Sequence, residues 1–109
     1  IAPYANARRE VREMVSEYGG FIEVHVSTPV EICELRDRKG LYAMARAGVL
    51  AGFTGVDDPY ELPEHAEVVV DTSGIEPDVG VQWIIDKLRE LGYLPEELRP
   101  NLGSARQKR

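Results

Sequence analysis

Residues 66–73, AEVVVDTS, decide the fold together with residues 21–26, FIEVHV. Each is a short run rich in β-branched or aromatic residues, a composition typical of a buried strand. Helical patterns lie before, between and after the two runs, and no turn signal joins them as a hairpin. This alternation predicts an α/β fold in which a parallel sheet is flanked by helices.

The helix predicted before the first strand covers residues 5–18 and ends at Gly19-Gly20. Its apolar positions recur at helical spacing and comprise Ala7, Val11, Met14, Val15 and Tyr18. Its arginines could face phosphate, but exposed charge usually lies in solvent. We therefore expect Arg8, Arg9 and Arg12 on a solvated face.

Three further helices are predicted. Residues 28–31, Thr-Pro-Val-Glu, have the form of a capping box with proline at the first helical position, which predicts a short helix over residues 29–35. Residues 41–47 and 76–91 have helical patterns, each followed by a glycine. We expect Trp83, in the middle of the last helix, to lie in the core.

Composition excludes several classes of function. The 109 residues have a formal net charge of -6, which argues against a general nucleic-acid binder. No apolar run approaches the roughly 20 residues that span a bilayer, so we expect no membrane partner. The two histidines and Cys33 are well separated, so we expect neither a transition-metal site nor an internal disulfide. A lone cysteine fits the reducing cytoplasm.

Two strands are too few for a parallel sheet that is covered on both faces. Ile1-Ala2-Pro3-Tyr4 has the pattern of a strand end that runs directly into a helix. We therefore expect several strands before Ile1, and we do not expect residues 1–94 to fold stably without them. Residues 95–109 have no sustained apolar period and are predicted to form a tail or a linker.

The longest segment without strong periodicity contains residues 36–60, RDRKGLYAMARAGVLAGFTGVDDPY. Four cations fall between Arg36 and Arg46, and only Asp37 opposes them. Lysine and arginine neutralise phosphate or sulfate, glycines allow a loop to close, and Phe53 could stack on a planar base. These features predict a mobile anion clamp for phosphoryl transfer. The composition alone leaves open a solvated, charged surface loop.

The same segment resembles the lid of adenylylsulfate kinase, or APS kinase. It matches the family pattern R-D-x-K-G-L-Y-x-x-A-R-x-G followed by F-T-G-[VI]-D-x-x-Y-E-x-P, and the opening IAPY is similar to the family's I-S-P-Y. The resemblance covers roughly residues 1–91. It implies that residues 1–94 are the C-terminal half of a domain with a P-loop kinase-like parallel sheet, and that residues 36–62 are its lid.

The resemblance implies transfer of the ATP γ-phosphate to the 3′-hydroxyl of adenosine 5′-phosphosulfate (APS), which yields 3′-phosphoadenylyl sulfate (PAPS). ATP with Mg²⁺ is the implied co-substrate, and no prosthetic group is implied. The implied substrate-binding residues are Ile1, Ala2, Lys39, Leu41, Phe53, Thr54 and Gly55, with Phe53 stacked on the adenine of APS. Arg36 would contact the adenine of ATP, and Arg38 or Arg46 would supply positive charge to the lid.

Two features depart from the family pattern. Ala2 stands where the family has a serine that is often a phosphorylated intermediate, and Ala5 replaces a common arginine. Because alanine cannot carry phosphate, we assign no catalytic residue and favour direct transfer. The P-loop G-x-x-x-x-G-K-[ST] and the D-N-x-R motif are not among these residues, so this segment is not expected to catalyse the reaction alone.

Alternative functions remain open from the sequence. One is a noncatalytic regulatory domain that senses APS or PAPS and is fused to ATP sulfurylase; another is a nucleotide kinase that acts on a different acceptor. The family resemblance also implies a homodimer and an ATP sulfurylase domain as a partner. Asp57 and Asp58 are explained equally well by lid charge and by turn formation beside Pro59. Residues 71–73, which end a strand, are candidates for contacting the adenine of ATP.

Overall fold

The computed structural model describes residues 1–95. Its elements are, in chain order, α1 (Ala5–Ser16), β1 (Val24–Val26), α2 (Val30–Arg36), α3 (Leu41–Arg46), β2 (Val68–Val70) and α4 (Pro77–Glu90). The predicted order of helices and strands is therefore confirmed. The tail or linker predicted over residues 95–109 lies, apart from Pro95, outside the described residues.

The two strands form a parallel sheet, in which Val24 pairs with Val68 and Val26 pairs with Val70. The predicted α/β arrangement is confirmed. Each strand is shorter than its apolar run, because only three residues of each run pair with the other strand. The carboxyl ends of β1 and β2 consequently lie side by side at one edge of the sheet.

Helix α4 packs against β2 through a buried glycine, Gly80. A Cβ atom at Gly80 would lie 3.2 Å from Cγ1 of Val70, so the absence of a side chain allows the helix to approach the strand closely. Val68 and Val70 are buried on β2. The prediction that Trp83 lies in the core is wrong: this residue is 43% exposed. The sheet has only two strands, so it covers only part of α4 and leaves Trp83 partly exposed.

Ion pairs, rather than apolar contacts, join α1 to the strands. Nε of Arg8 lies 2.9 Å from a carboxylate oxygen of Glu23, and the guanidinium of Arg12 donates two hydrogen bonds of 2.9 Å to Glu67. The prediction of a solvated face is therefore wrong for Arg8 and Arg12, because carboxylates that precede the two strands hold them. Arg9 is exposed, as predicted.

The predicted apolar face of α1 has little to pack against. No residue of this helix is buried, and Met14 and Tyr18 are 67% and 89% exposed. Residues 1–95 therefore do not cover this face. Among the same residues, no helix combines the length and the apolar character needed to cross a bilayer.

The predicted capping box before α2 does not form. Pro29 precedes the helix instead of occupying its first turn, and no side chain caps the helix start. The hydroxyl of Thr28 instead lies 2.7 Å from the hydroxyl of Thr72 and accepts a hydrogen bond from the Thr72 N–H at 2.9 Å. Thr28 thus links the carboxyl ends of the two strands, which is where the next residues of interest converge.

Candidate functional site

Residues 36–62, called the lid below, begin at the linked strand ends. The guanidinium of Arg36 donates to the hydroxyl and to the carbonyl oxygen of Thr72, both at 2.8 Å. Because Thr72 lies two residues after the end of β2, this contact anchors the start of the lid to the sheet. In parallel α/β folds, ligands bind beyond the carboxyl ends of the strands, so this edge is the natural place for a site.

Two cavities lie beside the lid. The first cavity has a volume of about 300 Å³, and its walls are formed by Cys33, Arg36, Asp37, Arg38, Lys39, Leu41, Tyr42 and Phe53. The lid thus brings together five of the residues expected from the sequence, although they are separated by up to 17 positions (53 minus 36). Cations lie on one part of this wall, and an aromatic and an aliphatic side chain lie on another.

The second cavity, of about 900 Å³, is lined in part by Thr54 and Gly55. It shares Cys33 and Tyr42 with the first cavity. The expected substrate-binding residues of the lid are therefore divided between two adjoining cavities with a common wall. Cys33 is half-buried in this wall.

Three expected residues lie away from both cavities. Ile1 is fully exposed, and the carbonyl oxygen of Ala2 accepts a hydrogen bond of 2.7 Å from Arg8. Arg46 is the last residue of α3, and its guanidinium donates to Glu34 at 2.6 and 3.2 Å. Among the described residues, these three side chains do not contribute to the walls that carry Lys39 and Phe53.

The lid contains two kinds of cation. Arg46 is paired with Glu34, and the hydrogen bond from Arg46 lowers the pKa of the Glu34 carboxyl while that of the guanidinium is raised. Within residues 1–95, by contrast, no carboxylate oxygen lies within 4.0 Å of the charged nitrogens of Arg38 or Lys39. The unpaired positive charge of the lid is thus located on the wall of the first cavity.

Asp37 organises the turn that presents these cations. Its carboxylate accepts hydrogen bonds from the backbone N–H groups of Tyr42 (2.9 Å) and Ala43 (3.1 Å), in the first turn of α3. Gly40 has a φ of 70°, a left-handed conformation that favours glycine, and it allows the chain to turn into α3. Asp37 therefore serves α3 rather than neutralising Lys39.

Tyr42 is a wall residue that sequence reasoning missed. Its ring lies edge-on to the ring of Phe53, with centroids 5.0 Å apart and an interplanar angle of 73°. Burial raises the pKa of the Tyr42 phenol, with a further contribution from the neighbouring Cys33. Tyr42 is the tyrosine of the G-L-Y pattern and directly follows Leu41, which was expected in the site. This neighbouring position was the signal in the sequence that could have identified it.

The far end of the lid is tied to the chain start. The N–H of Glu61 donates to the carbonyl oxygen of Pro3 at 2.8 Å, and its carboxylate accepts the N–H of Ala5 at 2.6 Å. Arg8 donates to the carbonyl oxygen of Glu61 at 2.5 Å. The lid is therefore anchored at both ends, by Arg36 and by Glu61, and its cationic middle part lies between these anchors.

A loop of seven residues, 52–58, carries Phe53. The carboxylate of Asp57 accepts hydrogen bonds from the backbone N–H groups of Gly52 and Phe53, and these bonds lower its pKa. Sequence reasoning left Asp57 between lid charge and turn formation. The structure shows a turn-forming use, in which this carboxylate accepts the N–H groups five and four positions earlier in the same loop.

The wall of the first cavity suits a ligand with an anionic part and a flat or apolar part. Unpaired Lys39 and Arg38 can neutralise phosphate or sulfate oxygens, and Phe53 and Leu41 can cover a ring. The described residues contain no group of three His, Cys, Asp or Glu side chains that could hold a metal ion. The chemistry available here is binding and orientation.

Comparison with known proteins identified relatives over most of the chain. The family model for adenylylsulphate kinase matches residues 1–71. A protein named adenylyl-sulfate kinase from Synechococcus sp. (strain JA-3-3Ab) is 49% identical over 94 residues, which are 86% of this chain and 52% of that protein. A protein named sulfate adenylyltransferase from Phaeosphaeria nodorum is 50% identical over 96 residues, which are 88% of this chain and 17% of that protein.

A solved structure has the same fold. It is the Mycobacterium tuberculosis APS kinase CysC in complex with AMPPNP and APS, which matches with a TM-score of 0.76 and 40% sequence identity. The match covers 80% of this chain and 50% of the other. The chain thus spans about half the length of the kinases it matches, and a smaller share of the sulfate adenylyltransferase.

Proposed function

The chain belongs to the adenylylsulphate kinase family, and from this premise we propose that it is the C-terminal half of a domain that phosphorylates APS. In the proposed reaction the γ-phosphate of ATP passes to the 3′-hydroxyl of APS and yields PAPS. The relative named adenylyl-sulfate kinase, and the solved structure of an APS kinase with AMPPNP and APS, support both substrates. Mg²⁺ would enter with ATP as part of the co-substrate.

One observation carries the proposal: unpaired Lys39 and the ring of Phe53 line the same cavity. APS has a phosphosulfate group and an adenine, so a site for it needs a cation and an aromatic within one molecule's length. Phosphoryl transfer requires mainly positioning and charge stabilisation, which this wall can supply.

The roles of individual residues are part of the proposal. Lys39 would contact the phosphosulfate side of APS, with Leu41 nearby, and Phe53 would stack on its adenine. Thr54 and Gly55 would shape the adjoining wall, while Ile1 and Ala2 would approach APS through their backbone. Arg36 would lie near the adenine of ATP, and Arg38 and Arg46 would add charge to the lid. Of these two, Arg38 is the better candidate because Glu34 neutralises Arg46.

Ala2 bears on the mechanism. A side chain without a hydroxyl cannot form a phosphorylated intermediate, so we propose direct transfer from ATP to APS. The backbone of this segment is held by Arg8, which donates to the Ala2 carbonyl oxygen, and by the Pro3–Glu61 hydrogen bond. In this proposal, residues 1–3 position substrate without taking part in covalent chemistry.

The test is PAPS formation by the full-length protein that contains this chain. Incubation with APS and MgATP should produce PAPS and ADP in equal amounts, measured by ion-exchange chromatography. The reaction should stop when APS is omitted or is replaced by AMP. Phosphorylation of AMP but not of APS would instead indicate a nucleotide kinase with a different acceptor.

A regulatory domain is the second candidate, and the sulfate adenylyltransferase relatives are the observation that favours it. On this alternative the domain binds APS or PAPS without turnover and is fused to ATP sulfurylase. Saturable PAPS binding together with no PAPS formation in the full-length protein would support this alternative against the kinase.

The assembly and the location are also proposals. The sulfate adenylyltransferase relatives suggest an ATP sulfurylase domain in the same chain or complex, and we propose a homodimer by analogy with the family. The single cysteine is consistent with a cytoplasmic location. Light scattering of the full-length protein measures the oligomeric state directly.

A further inference from the structure

The carboxylate of Asp57 binds the backbone that carries Phe53. Its two oxygens accept separate hydrogen bonds, one from the N–H of Gly52 at 2.7 Å and one from the N–H of Phe53 at 2.5 Å. Hydrogen bonds to an ionised acceptor are shorter and stronger than neutral ones. Asp57 therefore fixes the peptide from which the Phe53 ring projects.

The carbonyl group of Phe53 is also hydrogen-bonded within the loop. The carbonyl oxygen of Phe53 accepts the N–H groups of Val56 at 3.0 Å and of Asp57 at 3.1 Å. Gly52 and Gly55 have φ values of 69° and 88°, which other residues rarely adopt, and they allow the chain to fold back. Both sides of Phe53 are thereby bound to residues of the same short loop.

The Phe53 ring lies on the wall of the first cavity. The residue is half-buried, and its one aromatic neighbour among residues 1–95 is Tyr42, which meets it edge-on. A ring projects from its own backbone, so a shift of the Gly52–Phe53 backbone would move the ring. The orientation of the cavity wall at Phe53 therefore depends on the hydrogen bonds of the loop.

The ionisation of Asp57 favours this role at neutral pH. Hydrogen bonds from Gly52 and Phe53 lower the pKa of its carboxyl, so both oxygens remain available as acceptors. No lysine or arginine nitrogen within residues 1–95 lies within 4.0 Å of this carboxylate. The carboxylate is thus used on backbone N–H groups.

We propose that Asp57 is a positioning residue for APS, because it holds Phe53 where the ring can cover the adenine beside Lys39. This inference rests on the proposed function and concerns the same site. Asp57 does not touch the substrate in this scheme, and its effect passes entirely through Phe53.

The neighbouring Asp58 provides a matched control. It is an aspartate in the same loop, but its carboxylate accepts no hydrogen bond from the described residues; only its backbone carbonyl does, from the N–H of Gly55 at 2.8 Å. Replacing Asp58 by alanine removes the same charge from the loop and leaves the hydrogen bonds to Gly52 and Phe53 in place.

The first experiment compares Asp57→Ala, Asp57→Asn and Asp58→Ala in the full-length protein by steady-state kinetics. We expect Asp57→Ala to raise KM for APS about tenfold, as the loss of a charged hydrogen bond would. KM for ATP should change less than about twofold. Asp57→Asn retains one acceptor oxygen, so its KM for APS should lie between those of Asp57→Ala and the wild type. Asp58→Ala should have the KM for APS of the wild type.

The proposal would be overturned if Asp57→Ala and Asp58→Ala raised KM for APS equally. It would also be overturned if Asp57→Ala raised the KM values for APS and ATP equally.

A double-mutant cycle tests the route through Phe53. If Asp57 acts only by holding this ring, Asp57→Ala should have almost no further effect on KM for APS in a Phe53→Ala background. An unchanged effect in that background would show that Asp57 acts elsewhere, and it would contradict the proposal.

A second measurement does not depend on the reaction. Hydrogen exchange of the Gly52 and Phe53 amides should be faster in Asp57→Ala than in Asp58→Ala, because only the first variant releases these N–H groups. Absence of PAPS formation by the wild type would remove the proposed function and leave this measurement valid. Unchanged amide exchange would overturn the role of Asp57 whether or not the protein is a kinase.

Discussion

Helix α1 and the lid both carry arginine and lysine, but the two regions use positive charge differently. Arg8 and Arg12 of α1 are bound by Glu23 and Glu67. In the lid, Arg38 and Lys39 have no carboxylate within 4.0 Å among residues 1–95 and line a cavity. The charges of Arg8 and Arg12 thus stabilise the fold, whereas those of Arg38 and Lys39 have no ion-pair partner among the described residues.

The carboxylates explain this difference. Glu23 and Glu67 stand immediately before the two strands, so the pairing of β1 with β2 brings them together below α1. The acidic residue nearest to Lys39 in sequence, Asp37, is engaged with the N–H groups at the start of α3. Each of these three carboxylates has a partner, which is an arginine for Glu23 and Glu67 and the backbone of α3 for Asp37.

Replacing Lys39 should have the largest effect on activity. In the full-length protein, Lys39→Met should lower kcat/KM for APS about 10- to 100-fold, because a charged contact to the phosphosulfate would be lost. The measurement is PAPS formation at varied APS. Lys87→Met is the control, since Lys87 lies on α4 and is paired with Glu90. Equal activity of the two variants would remove the distinction between the two regions.

Replacing Arg12 should affect stability instead. Arg12→Met should lower the free energy of unfolding of the full-length protein by about 1–2 kcal/mol, because it leaves the Glu67 carboxylate without its two charged hydrogen bonds. Urea unfolding gives this value. KM for APS should be unchanged under folding conditions. A raised KM without a loss of stability would place Arg12 in the site and contradict the comparison.

The Arg12–Glu67 pair should also be visible as a pH dependence. The hydrogen bond from Arg12 lowers the pKa of the Glu67 carboxyl from 4.5 to about 2. Its contribution to stability is therefore complete above about pH 4.5 and is lost as the pH falls towards 2. The difference in unfolding free energy between wild type and Glu67→Gln should shrink over this range. The control is Glu13→Gln on the exposed side of α1, where no such change is expected.

Replacing Arg46 should have the smallest effect. Because Glu34 already neutralises Arg46, Arg46→Gln should change kcat/KM for APS by no more than about twofold. Removing both partners, with Glu34→Gln and Arg46→Gln, should have the same small effect. If Arg46→Gln instead lowered kcat/KM as much as Lys39→Met, the pairing with Glu34 would have to break when substrate binds.

Local patterns predicted most of the fold. The four helices and two parallel strands follow from apolar spacing, β-branched runs and glycine stops, which act over a few residues. The prediction of a capping box before α2 was wrong because the hydroxyl of Thr28 is hydrogen-bonded to Thr72, which lies 44 positions away in the sequence. The prediction that Trp83 is buried was wrong because burial depends on which other elements cover the helix. The periodicity of the helix itself carries no information about those elements.

The candidate site was predicted in part. The family pattern named Arg36, Lys39 and Phe53, and the structure places these residues on one wall. Tyr42 and Asp57 were missed as site residues because their contacts are made within the folded lid. The carboxylate of Asp57 reaches the N–H groups of Gly52 and Phe53 because the chain folds back between them, with left-handed φ angles at Gly52 and Gly55.

By itself the sequence determined the order of elements, the parallel α/β class and the membership in the kinase family, because these depend on periodicity and on a long contiguous motif. Tertiary structure alone decided which cations are neutralised. Arg12 meets Glu67 across 55 positions and Arg36 meets Thr72 across 36. Such distances in sequence carry no local signal, since the strand pairing that brings these residues together is itself a property of the folded chain.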